Sequence, residues 1–364
     1  MAALAAAAVG VAALAGAATG ASGLPRLSLA QLAGQRIVYA YAGLTPPPAL
    51  LARIRSGQAA GVIFFGQNVS SPAQLRSVIA QLQRANASSP VRAPLLMMTD
   101  QEGGLVRRLP GAPTLSEKQI GAAPNSLALA GAAGAGAAQT LRGAGIDVNL
   151  APVLDVYRQP GNFIDRYQRS YGSSAAAVGP LGATFVTAAQ SGGVAATAKH
   201  FPGLGAAASS QDTDAGPVTL GVSLATLRGV DEAPYRAALA AGVKLVMVSW
   251  ATYPALDRSL PAGLSPAVIG GELRARLGFR GVTITDGLGA GALARFGGFG
   301  SRAILAASAG ADLLLCAVPN ANLNTPQNGV SALDALAGAY AGRRLSVSAA
   351  QAAAARVIAL RASP

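Results

Sequence analysis

From about residue 36 onward, short runs of β-branched and aliphatic residues alternate with longer Ala/Leu/Arg segments whose apolar positions recur at helical spacing. Eight runs stand out: Arg36–Tyr41, Val62–Phe65, Leu95–Thr99, Val148–Leu150, Ala195–His200, Leu245–Ser249, Val282–Thr285 and Asp312–Cys316. Helical patterns lie between them, as in Pro72–Ala85, Ala233–Ala241 and Ser265–Leu277. Continuously apolar strands are buried on both faces, which points to a parallel sheet. Eight of them predict an α/β fold of the (β/α)8 TIM-barrel type, in one domain over residues 31–364. An open, doubly wound sheet is the competing arrangement.

The N-terminal stretch follows a different pattern. Its first 22 residues, MAALAAAAVGVAALAGAATGAS, carry no charge, and the first basic residue is Arg26. An apolar run with a small-residue exit predicts a signal peptide over residues 1–30, and with it a secreted or bacterial cell-envelope location. The positive start of such a signal is missing, so a retained N-terminal anchor or a simple tail stays open.

Composition narrows the chemistry. The single cysteine, Cys316, excludes an intrachain disulfide framework and reads as a small core residue. The single histidine, His200, argues against metal sites built from several imidazoles, and no metal or other cofactor is implied. Three lysines among 28 basic residues leave 25 arginines, and the formal charge is +13. These cations are scattered rather than clustered, so nucleic-acid binding is not expected. A basic surface suits an acidic cell-wall polymer, although heavy Arg, Ala and Gly usage also follows from nucleotide composition alone.

In a parallel barrel, chemistry sits at the C-terminal ends of the strands. Charged residues make up only 12% of this chain, yet they gather there. The third run ends in Thr99-Asp100-Gln101-Glu102-Gly103-Gly104 and continues to Arg107 and Arg108. The fourth leads through Asp155 to Arg169-Ser170-Tyr171-Gly172, the fifth ends Lys199-His200-Phe201-Pro202-Gly203, and the seventh ends Thr285-Asp286-Gly287. Together with YPALD at Tyr253–Asp257, LGFRGVTITDGL at Leu277–Leu288 and AGAD at Ala309–Asp312, these motifs carry a resemblance. From about residue 35 to 360 the chain resembles glycoside hydrolase family 3, in its single-domain β-N-acetylhexosaminidase branch.

The resemblance implies a retaining glycosidase acting on terminal β-linked sugars, with N-acetylhexosamine in cell-wall turnover as the first expectation. Asp286 matches the nucleophile position. Asp100, Arg108, Arg169, Lys199 and His200 match positions that hold sugar hydroxyls, a task suited to ionic hydrogen-bonders. One stretch departs from the family pattern. The loop after KHFPG, which in that branch carries an Asp/His acid/base pair, here reads Leu204-Gly205-Ala206-Ala207-Ala208-Ser209-Ser210-Gln211-Asp212-Thr213-Asp214-Ala215-Gly216 and holds no histidine. Asp214 or Asp212 is then the candidate general acid, provided its surroundings raise the carboxyl pKa. Otherwise the chain is a noncatalytic sugar-binding barrel. A β-glucosidase or a glycoside phosphorylase of the same family are further alternatives.

Two residues carry weaker signals. Trp250 is a candidate for stacking on a sugar face, with barrel-end packing as the alternative. Glu102 either reaches the cavity or pairs with a nearby arginine. The expected partner is a carbohydrate, with peptidoglycan fragments among the candidates, and no permanent protein partner is evident.

Overall fold

The computed structural model describes residues 26–364, so the predicted signal or anchor segment lies almost entirely outside the described residues. Ten strands follow in chain order: β1 (Ile37–Tyr39), β2 (Gly61–Ile63), β3 (Leu96–Thr99), β4 (Gln101–Gly103), β5 (Val106–Arg107), β6 (Val148–Asn149), β7 (Ala195–Phe201), β8 (Leu245–Val248), β9 (Val282–Thr285) and β10 (Leu314–Cys316). Eight of them form one parallel sheet in the order β10-β1-β2-β3-β6-β7-β8-β9, and a parallel bridge from Ile284 to Leu313 brings the two edges together. The result is a nearly closed (β/α)8 barrel. All eight apolar runs supply its staves, while β4 and β5 form a small antiparallel hairpin at the rim.

Alternation along the strands builds two cores. Val38, Ile63, Leu96, Met98, Val148, Met247, Ile284 and Leu315 fill the barrel interior. Their neighbours Ile37, Tyr39, Val62, Met97, Ala196, Val246, Leu314 and Cys316 face the surrounding helices. Val357 and Leu360, from the last helix Val347–Ala362, join the interior cluster. Cys316 is buried in the helix-facing core, as the small core residue expected.

The Ala/Gly bias shows in how the helices meet. Helices Ser126–Ala144 and Ala175–Ser191 pack side by side. A Cβ on Gly134 would sit 2.4 Å from the carbonyl oxygen of Phe185, and one on Gly182 would sit 2.2 Å from Leu154. Backbone proximity here replaces the bulky side chains that an aromatic-poor chain lacks.

Candidate active site

The C-terminal rim encloses a cavity of about 410 Å³. Its floor is apolar, made by Ile63, Leu150, Met247 and Leu315, the upper ends of the barrel interior. Its walls hold Asp100, Arg108, Arg169, Lys199, His200, Asp212, Asp214 and Asp286, so eight of the nine candidate site residues share one space.

One wall is a chain of buried ion pairs. Lys199, on β7, places Nζ 2.8 Å from Asp100 Oδ1 and 2.7 Å from Glu102 Oε1. Arg169 grips Glu102 with both Nε and Nη2 at 2.9 Å. Burial by itself would discharge these groups, but the pairing outweighs it. Arg169 and Lys199 hold the Glu102 carboxyl at about 2, against the pull of burial. Asp100 is likewise held below the usual carboxylate range by Lys199 and Arg108, and Lys199 is held above the usual lysine range by Asp100 and Glu102. The glutamate of TDQEGG thus pairs with an arginine, one of the two roles considered for it.

The hairpin carrying Asp100 and Arg108 is fixed by amides. Asn149 accepts from the backbone of Gln101 at 3.0 Å and donates back to its carbonyl at 3.1 Å. The Gln101 side chain in turn accepts from the backbone N–H groups of Arg108 and Leu109, both at 3.1 Å. Arg108 reaches toward Asp100 from the outer edge at 3.8 Å.

His200 extends the same network. Its Nδ1 lies 2.7 Å from Asp155 Oδ2, and its Nε2 lies 3.3 Å from Arg169 Nη2. A guanidinium can only donate, so Nε2 must accept and the ring proton sits on Nδ1, donated to Asp155. The two contacts fix the orientation of the ring, as befits a residue that positions and binds. Asp155, which the sequence reading left without a role, also accepts from the backbone N–H of His200 at 3.3 Å.

Beneath this wall Glu117 is buried, accepts from Val153 N at 2.9 Å, and has no hydrogen-bond partner for its second oxygen. Burial, with the Glu102 carboxylate nearby, pushes its carboxyl well above the usual range.

The opposite wall is built differently. Asp286 follows β9, is half-buried, and accepts from its own neighbour Gly287 N at 2.7 Å. Across from it runs the loop that follows β7. Asp212 Oδ1 accepts from Asp214 N at 2.9 Å, a turn that presents the second aspartate. The carbonyls of Thr213 and Asp214 accept from Ala292 N and Gly291 N at 3.0 and 2.9 Å, docking the loop onto the segment that follows Asp286. Asp214 remains open to solvent on its outer side. Its carboxyl is nonetheless raised to about 7, first by desolvation and then by the charges of Asp286 and Asp212.

Trp250 stands apart. It is 1% exposed, donates from Nε1 to Gly287 O at 2.9 Å, and packs against Gly263, where a Cβ would lie 2.4 Å from its ring. It is absent from the cavity lining, so its place is the packing one, and its hydrogen bond braces the turn that bears Asp286. Two aromatics that the sequence reading did not single out, Phe163 and Tyr167, do line the cavity.

Paired carboxyls in contrasting environments, beside a cationic wall at the C-terminal rim of a parallel barrel, are the equipment of a barrel glycoside hydrolase. The chain belongs to glycosyl hydrolase family 3: residues 36–360 match the model of the family's N-terminal domain. An uncharacterized secreted glycosyl hydrolase from Arthroderma benhamiae is 46% identical over 297 residues, covering 81% of this chain and 84% of that protein. A β-hexosaminidase of Nitrosomonas eutropha is 34% identical over 262 residues, covering 70% of this chain and 72% of its own. Among solved structures, a family 3 β-N-acetylglucosaminidase from a Paenibacillus strain superposes with a TM-score of 0.85 at 37% identity, over 92% of this chain. This chain spans 62% of the length of that protein. A β-N-acetylhexosaminidase from Beutenbergia cavernae gives a TM-score of 0.82 at 29% identity, over 92% of this chain and 98% of its own. No helix among the described residues is long and apolar enough to cross a membrane.

Proposed function

We propose that the chain hydrolyses terminal β-linked N-acetylhexosamine with retention of configuration, using Asp286 as nucleophile and Asp214 as general acid/base. The observation that carries this reading is the pair itself: two carboxyls lining one cavity, that of Asp214 raised to about 7 first by desolvation and then by the charge of Asp286. An acid for glycoside cleavage must hold its proton near neutrality while its partner is ionised.

In the first step the Asp286 carboxylate bonds to the anomeric carbon, the glycosidic C–O bond breaks, and Asp214 passes its proton to the departing oxygen. Water then attacks the anomeric carbon of the glycosyl-enzyme. Asp214, now a carboxylate, takes the water's proton, and Asp286 is released. Asp100, Arg108, Arg169, Lys199 and His200 grip the sugar hydroxyls; being already paired and hydrogen-bonded, they lose little freedom on binding. Asp212 serves this scheme by shaping the turn. The likeness to β-hexosaminidases and β-N-acetylglucosaminidases supports the sugar assignment, and the secreted relative supports action outside the cell, where cell-wall fragments supply such linkages.

The test is a mass measurement on the quenched enzyme with a slow aryl β-N-acetylglucosaminide, coupled to NMR of the first-formed anomer. A glycosyl adduct mapped to Asp286 and a β-configured product are expected. An α product would overturn the mechanism, and turnover without an adduct on Asp286 would overturn the assignment of the nucleophile.

A further inference from the structure

The cavity mouth carries an aromatic ring that no step above uses. Tyr167 is 40% exposed, one of few large apolar side chains so placed, and it lines the cavity beside Phe163. A ring left partly exposed on a cavity wall can offer apolar surface to a ligand.

The segment that bears it is firmly built. Asn162 caps the short helix Phe163–Arg166, accepting from Asp165 N at 3.0 Å. Buried Asp165 accepts from Gly161 N at 2.7 Å and pairs with Lys118 at 2.7 Å. The tyrosine itself is held: the Phe163 ring meets it edge-on with centroids 5.7 Å apart, and Arg166 lies 4.7 Å over the ring and donates to its hydroxyl at 3.1 Å. Between Tyr167 and Arg169 the backbone at Gln168 takes φ 57°, a conformation uncommon outside glycine. Across that turn the chain sends Arg169 into the ion cluster and leaves Tyr167 at the mouth.

Which wall Tyr167 belongs to decides its role. Asn162 Nδ2 donates to Gly205 O at 2.7 Å, and Phe163 N donates to Ala207 O at 3.2 Å. Both partners lie in the loop that ends in Asp212–Asp214. The ring is therefore tied to the element that offers the proton to the departing oxygen, the side from which the leaving group exits. Pyranose rings present an apolar C–H face that packs on aromatic rings.

We infer that Tyr167, braced by Phe163 and Arg166, forms the binding subsite for the sugar ring on the leaving side of the scissile bond. The site then favours oligosaccharides over glycosides of small alcohols. This inference rests on the glycosidase reading of the same cavity.

The experiment compares a β-linked N-acetylglucosamine disaccharide with methyl β-N-acetylglucosaminide. Both leaving groups are alcohols that need protonation, but only one can occupy the subsite. In Tyr167→Ala the ratio of the two kcat/KM values should fall about tenfold, while Tyr167→Phe keeps most of it. A ratio unmoved in Tyr167→Ala overturns the subsite, even if both rates drop together. Calorimetry in the Asp286→Asn background gives an independent readout: Tyr167→Ala should lower the affinity for the disaccharide relative to N-acetylglucosamine by a similar factor. If neither substrate turns over but this binding ratio falls, the catalytic reading fails and the subsite stands. If neither sugar binds, both fail.

Discussion

The two walls of the cavity solve the same positioning problem by opposite means. On the side of β3, β6 and β7, Asp100, Glu102, Arg169, Lys199, His200 and Asp155 fix one another through charge and hydrogen bonds in a buried layer. On the other side, Asp214 is held only through its backbone, its N–H donating to the Asp212 carboxylate and its carbonyl accepting from Gly291 N, in a loop rich in alanine, glycine and serine that remains open to water. The first wall favours the charged forms of Asp100, Glu102 and Lys199. The second leaves one carboxyl free to titrate near neutrality, which is what a group that gives and takes a proton requires. Binding residues gain from rigidity, whereas an acid/base gains from a pKa matched to its medium.

The comparison can be broken most severely at Asp286. Asp286→Asn should cut turnover of every substrate by at least ~10³-fold, since it deletes the nucleophile, while calorimetry should still detect sugar binding. Next comes Asp214→Asn, expected to slow a disaccharide by roughly 10² to 10⁴-fold and a dinitrophenyl glycoside far less, because that leaving group departs with little protonation. Equal loss on both would place Asp214 among the binding residues. Replacing Asp212 in the same way should cost less, since its side chain accepts only the turn's N–H.

On the locked wall the effect moves from rate to stability. Glu102→Gln leaves Lys199 and Arg169 buried with half their counter-charge, and the expected loss is about 3 to 5 kcal/mol in urea denaturation. A loss under 1 kcal/mol would show that the cluster is wetter than its geometry implies. The smallest effect sharpens the contrast through pH. Because Asp214 must be protonated to act as acid and its pKa is raised to about 7, kcat/KM on the disaccharide should decline as pH rises through that value. The alkaline limb should vanish in Asp214→Asn. Stability carries the same sign: a folded-state pKa above the unfolded one favours the fold at low pH, and that contribution fades as pH rises from about 4 to 7.

The barrel was readable from the sequence because strands buried on both faces leave an unbroken apolar signature, and eight such runs occur. The rim was readable because polar residues ending an apolar run are conspicuous in a chain so poor in charge. Asp155 and Glu117 were not. Their partners, His200 and Val153, lie 45 and 36 residues away, so only the fold brings them together. Trp250 shows the converse limit: its position after a strand was right for a site, but whether a ring faces the cavity or packs beneath it depends on Gly263, which the local sequence does not couple to it. Phe163 and Tyr167 escaped notice because nothing in their spacing marks them; their place follows from hydrogen bonds to a loop some forty residues away.

The close approach of helices Ser126–Ala144 and Ala175–Ser191 has an evolutionary side. Wherever alanine and glycine were admitted by a drift in base composition, many positions are free to drift back, since the outer faces of these helices touch little. Gly134 and Gly182 are not free to do so: the neighbouring helix and Leu154 now occupy the room that a side chain would need. Reversal at Gly134 would demand a shift of the neighbouring helix backbone, whereas at Gly182 it would demand that the Leu154 side chain move aside.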